Sequence, residues 1–117
     1  MRIAIRTKSV SNDLRLKERL NDAARTCFER FSAVVKDLEL TLRDENGPKG
    51  GVDKLCVLRL KLVGRGAVTV RERGGNAYWL ARSVLDRACE AVAGKLERRA
   101  SRRRARIKGL MFEGDLR

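Results

Sequence analysis

A dense run of arginine and lysine near the carboxyl end is the part of this sequence most able to bind a ligand. Eight of the fourteen residues between 95 and 108 are basic and only Glu97 is acidic, so the segment carries +7 of a net charge of +13. The eight are Lys95, Arg98, Arg99, Arg102, Arg103, Arg104, Arg106 and Lys108. Each can neutralise a phosphate and release its counterion, and guanidinium groups bind phosphate oxygens bidentately. The pattern predicts salt-dependent nucleic-acid binding; a solvated helix end that only aids solubility is the alternative.

The same composition argues against catalysis. The 117 residues include no histidine, and we find no paired-carboxylate signature and no nucleophile elbow. Cys27, Cys56 and Cys89 are odd in number and far apart, which fits neither a disulfide framework nor a zinc site. We therefore expect a protein that is not an enzyme, with no cofactor, no metal and no small-molecule substrate, and with three reduced thiols in its core.

Charge and hydropathy also indicate where the protein works. The isoelectric point near 10.8 favours a polyanionic partner. No apolar run approaches about 20 residues, so we expect no membrane span. The amino terminus enters a charged, alternating segment without an apolar signal region, so we expect a cytoplasmic protein rather than a secreted precursor.

Apolar periodicity predicts six elements that position the basic residues. Period-two alternation predicts a strand over Arg2–Lys8 and three further strands around residues 38–43, 56–63 and 68–71. Helical spacing predicts one amphipathic helix over Asp13–Phe31 and a second that begins after Asn76, whose side chain can cap it. Beyond Leu96 the apolar stripe fades, and Gly109–Arg117 has no period.

These elements define an α+β fold in the order β-α-β-β-β-α. Each strand has one apolar face and each helix one apolar stripe, so two helices packed on one face of a four-stranded mixed sheet satisfy all of them. The helical crossover makes the first two strands parallel neighbours, and the others form an antiparallel meander. We expect one domain over residues 1–104 and a short, frayed basic tail over 105–117.

The strand parity places a second group of basic side chains on the open face of the sheet. Its members would be Arg2, Arg6, Arg43, Arg59, Lys61 and Arg71, accompanied by Glu39 and Thr69. This is a candidate second RNA face, and a solvated face is the alternative interpretation. The Gly-rich loop Asp44–Asp53 is predicted to join two strands, and its Lys49 and Lys54 are candidate phosphate contacts.

Trp79 and Leu80 are expected to lie off the apolar stripe of the second helix, with Trp79 about 140° from its centre. The interpretation we favour is that a neighbouring loop covers Trp79. An exposed Trp79 would instead stack on a base or anchor a protein partner.

The order of elements resembles the ribosome hibernation-promoting factors, the family that includes the ribosome-associated inhibitor A. The resemblance rests on the first strand, on a helix with Leu16, Leu20 and Phe28–Phe31, on the charged strand Asp37–Arg43, and on the stretch Gly74–Asp86 (GGNAYWLARSVLD) before a basic helix. It covers roughly Met1–Arg104. Trp79, Ala81 and Asn76 depart from the family pattern, and the loop between the second and third strands is longer. We expect no second domain of the kind that pairs ribosomes.

This resemblance implies a translation inhibitor of the stress response that binds the small ribosomal subunit and its rRNA. Such a protein occludes the path of messenger and transfer RNA during ribosome hibernation. The residues that match the family's basic helix, and are therefore expected to contact rRNA, are Lys95, Arg98, Arg99, Arg102 and Arg103, with Arg82 and Arg87 on the outer side of the same helix.

Three other functions remain open from the residues alone. A general double-stranded RNA-binding module also packs two helices on a sheet, although the additional strand Arg2–Lys8 argues against it. A protein-interaction module would use Trp79 and Leu80. Attachment to anionic membranes through the Arg-rich helix ranks last, because that segment has no bulky apolar face beyond Leu96.

Overall fold

The computed structural model describes residues 1–8, 14–45, 54–64 and 66–115, and beyond residue 107 it describes the backbone. Its elements follow the predicted order, with a single 3₁₀ turn added after the first helix. They are β1 (Arg2–Lys8), α1 (Leu14–Phe28), the 3₁₀ turn (Glu29–Phe31), β2 (Val35–Asp44), β3 (Lys54–Leu62), β4 (Ala67–Gly74) and α2 (Ala77–Asp115). The α+β class is therefore confirmed.

The four strands form one sheet in the order β1-β2-β3-β4, with β1 parallel to β2 and the other two pairs antiparallel. This is the predicted topology. The register aligns apolar residues of one face across the strands: Ile5 lies opposite Leu40, Leu40 opposite Leu58, and Leu58 opposite Val70. The predicted inward face of each strand is therefore the face that the helices cover.

The core lies between that face and the two helices. Leu38, Leu40 and Leu42 of β2 and Leu58 and Leu60 of β3 are fully buried. The helices complete the core with residues that recur at helical spacing: Leu20, Ala24 and Phe28 from α1, and Ala81, Val84, Leu85, Ala88 and Val92 from α2. The small residues Ala24, Ala81 and Ala88 let both helices approach the sheet closely.

A glycine turn joins β3 to β4, as predicted. Gly64 and Gly66 have φ values of +85° and +116°, a backbone conformation that residues with a Cβ rarely adopt. The Leu62 amide donates a hydrogen bond to the Gly66 carbonyl at 3.1 Å, which closes the turn.

The second helix is far longer than the sheet it covers. α2 spans 39 residues, about 58 Å at 1.5 Å per residue, and the protein's longest dimension is 72 Å. The helix includes residues 105–115, for which the sequence predicts a frayed tail. Arg, Ala, Lys and Leu favour helix strongly enough that the chain continues without an apolar stripe. A domain boundary at residue 104 stays a prediction.

Two expectations at the start of α2 are wrong. Leu80 is buried, because it packs against Gly74 at the end of β4, where there is no side chain. A Cβ built at Gly74 would lie only 3.2 Å from Leu80 Cδ1. Trp79 is 67% exposed, so no described loop covers it. Asn76 does cap the helix, since its Oδ1 accepts a hydrogen bond from the Trp79 amide at 3.1 Å.

The burial of β2 gives the first testable prediction. Leu40→Asp places a carboxylate at a fully buried position within the apolar core, so the variant should not fold at neutral pH. Thr69→Asp, on the exposed face of β4, is the matched control and should fold. Thermal unfolding followed by circular dichroism distinguishes them. A cooperative transition in Leu40→Asp near that of the natural protein would contradict the assigned strand faces.

Candidate nucleic-acid interface

The basic residues of α2 continue the line of residues that the same helix buries against the sheet. Ala81, Leu85, Ala88 and Val92 follow one another at steps of four and three residues, and all are buried. The same steps then lead to the next four positions, Lys95, Arg99, Arg102 and Arg106. At 100° per residue these eight positions lie on one side of the helix. We call the last four the basic stripe.

The change from apolar to basic coincides with the end of the sheet. Lys95 Nζ donates a hydrogen bond to the Ala67 carbonyl at 2.9 Å, at the first residue of β4. A Cβ built on Gly66 would lie 3.3 Å from an Arg99 guanidinium nitrogen, so Arg99 packs over the glycine turn. Lys95 and Arg99 thus bind the rim of the sheet, while Arg102 and Arg106 are exposed beyond it.

The helix beyond the sheet forms a charged projection. From Arg99 to Asp115 it extends about 24 Å, and every side chain from Glu97 to Ile107 is exposed. Arg98 and Arg103 flank the basic stripe on either side, and Arg104 lies on the opposite side of the helix. The structure therefore brings together Lys95, Arg98, Arg99, Arg102 and Arg103, the predicted rRNA contacts, within two turns of one helix.

Arg82 and Arg87 do not join this group. Arg87 forms an ion pair with Glu72 at 3.2 Å, and the Glu72 side chain is only 15% exposed. Glu72 lies on the helix-covered face of β4, opposite Cys56, and its second carboxylate oxygen has no hydrogen-bond partner among the described residues. Arg82 is half-buried near Cys27. Arg82 therefore packs against the body of the domain, and Arg87 is exposed but held there by its ion pair.

The open face of the sheet brings the second predicted basic group together. Two cross-strand rows near the glycine turn contain Arg2, Asp37, Lys61 and Ala67, then Ala4, Glu39, Arg59 and Thr69. The next two rows contain Arg6, Thr41, Val57 and Arg71, then Lys8, Arg43, Leu55 and Arg73. Sequence reasoning missed Lys8 and Arg73, which strand parity alone would have added. It also missed Asp37, which the irregularity between Val35 and Asp37 in β2 made harder to place.

The acidic residues on this face are unevenly distributed. Asp37 and Glu39 lie in the rows near the glycine turn, and the two rows at the far end contain no acid. Glu39 pairs with Arg6 at 3.4 Å, and Arg73 pairs with Glu45 at 2.7 Å just beyond the last row. The open face is therefore mixed at one end and cationic at the other.

The predicted loop contacts are not both testable in the structure. Lys49, with the glycines around it, lies outside the described residues. Lys54 begins β3 on the helix-covered face, opposite Asp44 in β2 and Gly74 in β4, and is half-buried. Its position favours a structural role at the end of the sheet.

An aromatic pair occupies the first turn of α2. The Tyr78 and Trp79 rings contact edge to face with centroids 5.2 Å apart, and the Arg19 guanidinium lies 4.0 Å from the Tyr78 centroid. Tyr78 and Arg19 thereby attach α2 to α1. Trp79, the single tryptophan, projects into solvent and provides a fluorescent reporter of anything that binds nearby.

The three cysteines are free thiols in two environments. Cys56 is buried, as predicted. Cys27 and Cys89 are half-buried between the helices, where the Cys89 thiol donates a hydrogen bond to the Cys27 carbonyl at 3.2 Å. Burial raises the pKa of the Cys27 thiol, and the carboxylate of Asp86 adds to this. Burial, followed by the charge of Glu72, raises the pKa of the Cys56 thiol from 9.0 to about 12.

In the described part of the chain, no cluster of three or more Cys, Asp and Glu side chains is placed to hold a metal ion. No helix in the same residues combines the length and apolar character that crossing a membrane requires.

Comparison with solved structures identifies the fold. The chain superposes on the N-terminal domain of Thermus thermophilus Protein Y with a TM-score of 0.63 and 15% identity, covering 79% of this chain and 96% of that one. It superposes on a ribosomal subunit interface protein from Coxiella burnetii with a TM-score of 0.58 and 15% identity, covering 90% and 99%. Both belong to the hibernation-promoting factor family, so the resemblance is confirmed for the fold. No family model and no curated protein matches the sequence.

The contact of Lys95 with β4 predicts that Lys95, unlike its exposed neighbour Arg98, stabilises the folded protein. Lys95→Met retains the aliphatic stem but loses the hydrogen bond to Ala67, so the free energy of unfolding should fall by about 1 kcal/mol. Arg98→Met, at an exposed position, should change it little. Urea unfolding of both variants tests this. Equal stability of the two would show that Lys95 does not stabilise the rim of the sheet.

The buried thiol predicts a loss of stability at alkaline pH. Because the pKa of Cys56 is raised from 9.0 to about 12, the unfolded chain releases this proton first as the pH rises. Stability is therefore complete below pH 9 and declines between pH 9 and 12, by about 1.4 kcal/mol per pH unit for this group. Cys56→Val should remove that part of the decline, measured as urea unfolding at pH 8, 9 and 10. Parallel pH profiles of the two proteins would contradict it.

Proposed function

We propose that this protein is a ribosome-associated translation inhibitor that binds the small ribosomal subunit through rRNA phosphates. Both structural neighbours support a ribosome-associated role, and the Coxiella protein is described as a ribosomal subunit interface protein. The residues proposed to contact rRNA are Lys95, Arg98, Arg99, Arg102 and Arg103, to which we add Arg106. Residues 1–104 would act as one binding domain, in the cytoplasm, without catalysis.

One observation carries this proposal: the basic stripe begins where the sheet ends and lies on the sheet side of α2. The stripe therefore forms an inner corner with the rim of the domain, rather than an isolated charged rod. A phosphate backbone placed in this corner would meet Arg102 and Arg106 from the helix and the glycine turn below. This corner fits a convex ridge of RNA backbone better than a free basic helix would.

The mechanism would be competitive occlusion. A folded domain 24 Å by 18 Å in cross-section, with a charged projection, occupies a phosphate-lined channel and excludes the RNAs that normally pass through it. Arginine contacts with phosphates fix the position of the domain but carry no sequence information, so recognition would rest on the shape of the rRNA. Naked RNA would then bind more weakly than the ribosome and with greater sensitivity to salt.

Charge removal on the projection tests the proposal. Arg102→Gln, Arg103→Gln and Arg106→Gln together should abolish co-sedimentation with purified small subunits at near-physiological salt. The thermal transition should stay unchanged, since all three side chains are exposed. The matched control is Arg15→Gln, Lys17→Gln and Arg25→Gln on α1, which removes the same charge from a surface shared with Glu18 and Asp22. This control should sediment with the subunit as the natural protein does.

Three results would contradict the proposal. If the triple variant on α2 still binds small subunits, the projection is not the contact. If the control variant on α1 loses as much binding, net charge alone explains the interaction. Equal affinity of the natural protein for small subunits and for naked duplex RNA would favour the general double-stranded RNA-binding module instead.

A further inference from the structure

The open face of the sheet contains a depression that extends from the row of Glu39 and Arg59 into the cationic end, and the basic stripe is not part of it. Its volume is about 370 Å³, and the side chains around it come from all four strands. Five of the residues that line it are basic, namely Arg6, Lys8, Arg43, Arg59 and Arg71, and Glu39 lines it as well. Arg73 lies beside the depression, in the cross-strand row of Arg43 and Leu55. The depression lies on the face opposite the helices and extends toward the end of the sheet at which α2 starts. The basic stripe lies at the other end.

Most of these cations form no ion pair with a carboxylate of the described residues. Arg6 pairs with Glu39 and Arg73 with Glu45. Lys8, Arg43, Arg59 and Arg71 are exposed, and no acidic side chain in the described ranges lies within ion-pair distance of them. Sheets normally place opposite charges across from one another because like charges repel. Arg59 follows this rule, since it lies across from Glu39, but the rows that contain Arg71 and Lys8 with Arg43 have no acidic residue. These three cations without an acidic cross-strand neighbour indicate an anionic ligand rather than a solvated face.

The floor of the depression indicates what kind of anion fits. Thr41 and Val57 lie side by side at its centre, with Leu55 in the next row and Thr69 beside Arg59. Hydroxyl donors and short apolar side chains suit the sugar and phosphate groups of a nucleic acid. None of the described residues that line the depression is aromatic, so bases would not stack on them.

The spacing of the strands limits the width of the ligand. Arg6 on β1 and Arg71 on β4 occupy one row and are separated by three strand spacings, about 14 Å. A ligand that contacts both rims and the floor between them must be a single extended strand, because a duplex is too wide to reach the floor.

We infer that this depression is a binding site for single-stranded RNA, recognised through its sugar-phosphate backbone and without sequence preference. The site is separate from the basic stripe in both face and position. It does not depend on the ribosome as partner, and it would give the protein a second RNA contact. Two separated contacts on one RNA-rich partner raise the overall affinity beyond that of either alone.

The test measures binding of a fluorescein-labelled ten-nucleotide oligouridylate by anisotropy. The full chain carries Arg102→Gln, Arg103→Gln and Arg106→Gln, so that the projection contributes little. Adding Arg43→Gln and Arg71→Gln should weaken binding about 25-fold at 0.1 M salt and lower the slope of log K against log salt by about 1.4. Adding Lys17→Gln and Arg25→Gln instead, which removes the same charge from α1, should change the affinity less than about threefold.

Equal losses from the two double substitutions would overturn the inference, because net charge would then explain the binding. A duplex of the same length that binds as tightly, and is weakened as much by Arg43→Gln and Arg71→Gln, would overturn the assignment to single strands. A 4-thiouridine oligomer should cross-link to β2, β3 or β4, and cross-links confined to α2 would also overturn it. No ribosome is present, so these outcomes are independent of the sedimentation result.

Discussion

The register of α2 on the sheet is the constraint on which the rest of the structure depends. One line of positions, at steps of four and three residues, seals the core from Ala81 to Val92 and then presents charge from Lys95 to Arg106. The buried positions and the basic positions cannot be reoriented independently, because they lie on the same side of one rigid helix. A rotation of the helix that buried Lys95 or Arg99 further would pull Leu85 and Val92 out of contact with β3 and β4. The hydrophobic packing of the domain thus determines the direction in which its arginines point, and the hydrogen bond from Lys95 to Ala67 marks where one use ends and the other begins.

The sheet has a comparable division between its two faces. Register in a strand has period two, so the pairing that aligns Leu40 with Leu58 under the helices also aligns Thr41 with Val57 on the open side. A slip of one residue would exchange the core for the cations. The apolar face therefore holds the basic rows in position across four strands, even though several of those cations form no ion pair with another part of the chain that the structure describes. Core packing on one face supplies the free energy that opposes repulsion on the other.

Much of the fold was predictable because its signals are local. Alternation at Leu38, Leu40 and Leu42 and the apolar stripe of α1 identify elements and faces without knowledge of neighbours. The departures come from the packing of α2 on β4, the strand that precedes it. Leu80 is buried because β4 ends in a glycine beneath it, and Arg87 pairs with Glu72 because α2 folds back over β4. The basic segment was identifiable from charge density. Its orientation toward the sheet required extending the spacing of Ala81, Leu85, Ala88 and Val92 past residue 92.

The projection of α2 also has an electrostatic self-energy. Lys95 and Arg99, Arg98 and Arg102, and Arg102 and Arg106 are spaced four residues apart, so like charges face one another along consecutive turns. Each such pair disfavours an isolated helix by about 0.2–0.5 kcal/mol. Anions that neutralise these side chains therefore remove a force that opposes the helix they bind to. Ordering of the last turns of α2 and its association with a polyanion are therefore thermodynamically linked. Added salt affects both: it screens the repulsion between arginines, which favours the helix, and it weakens the contacts between those arginines and the polyanion.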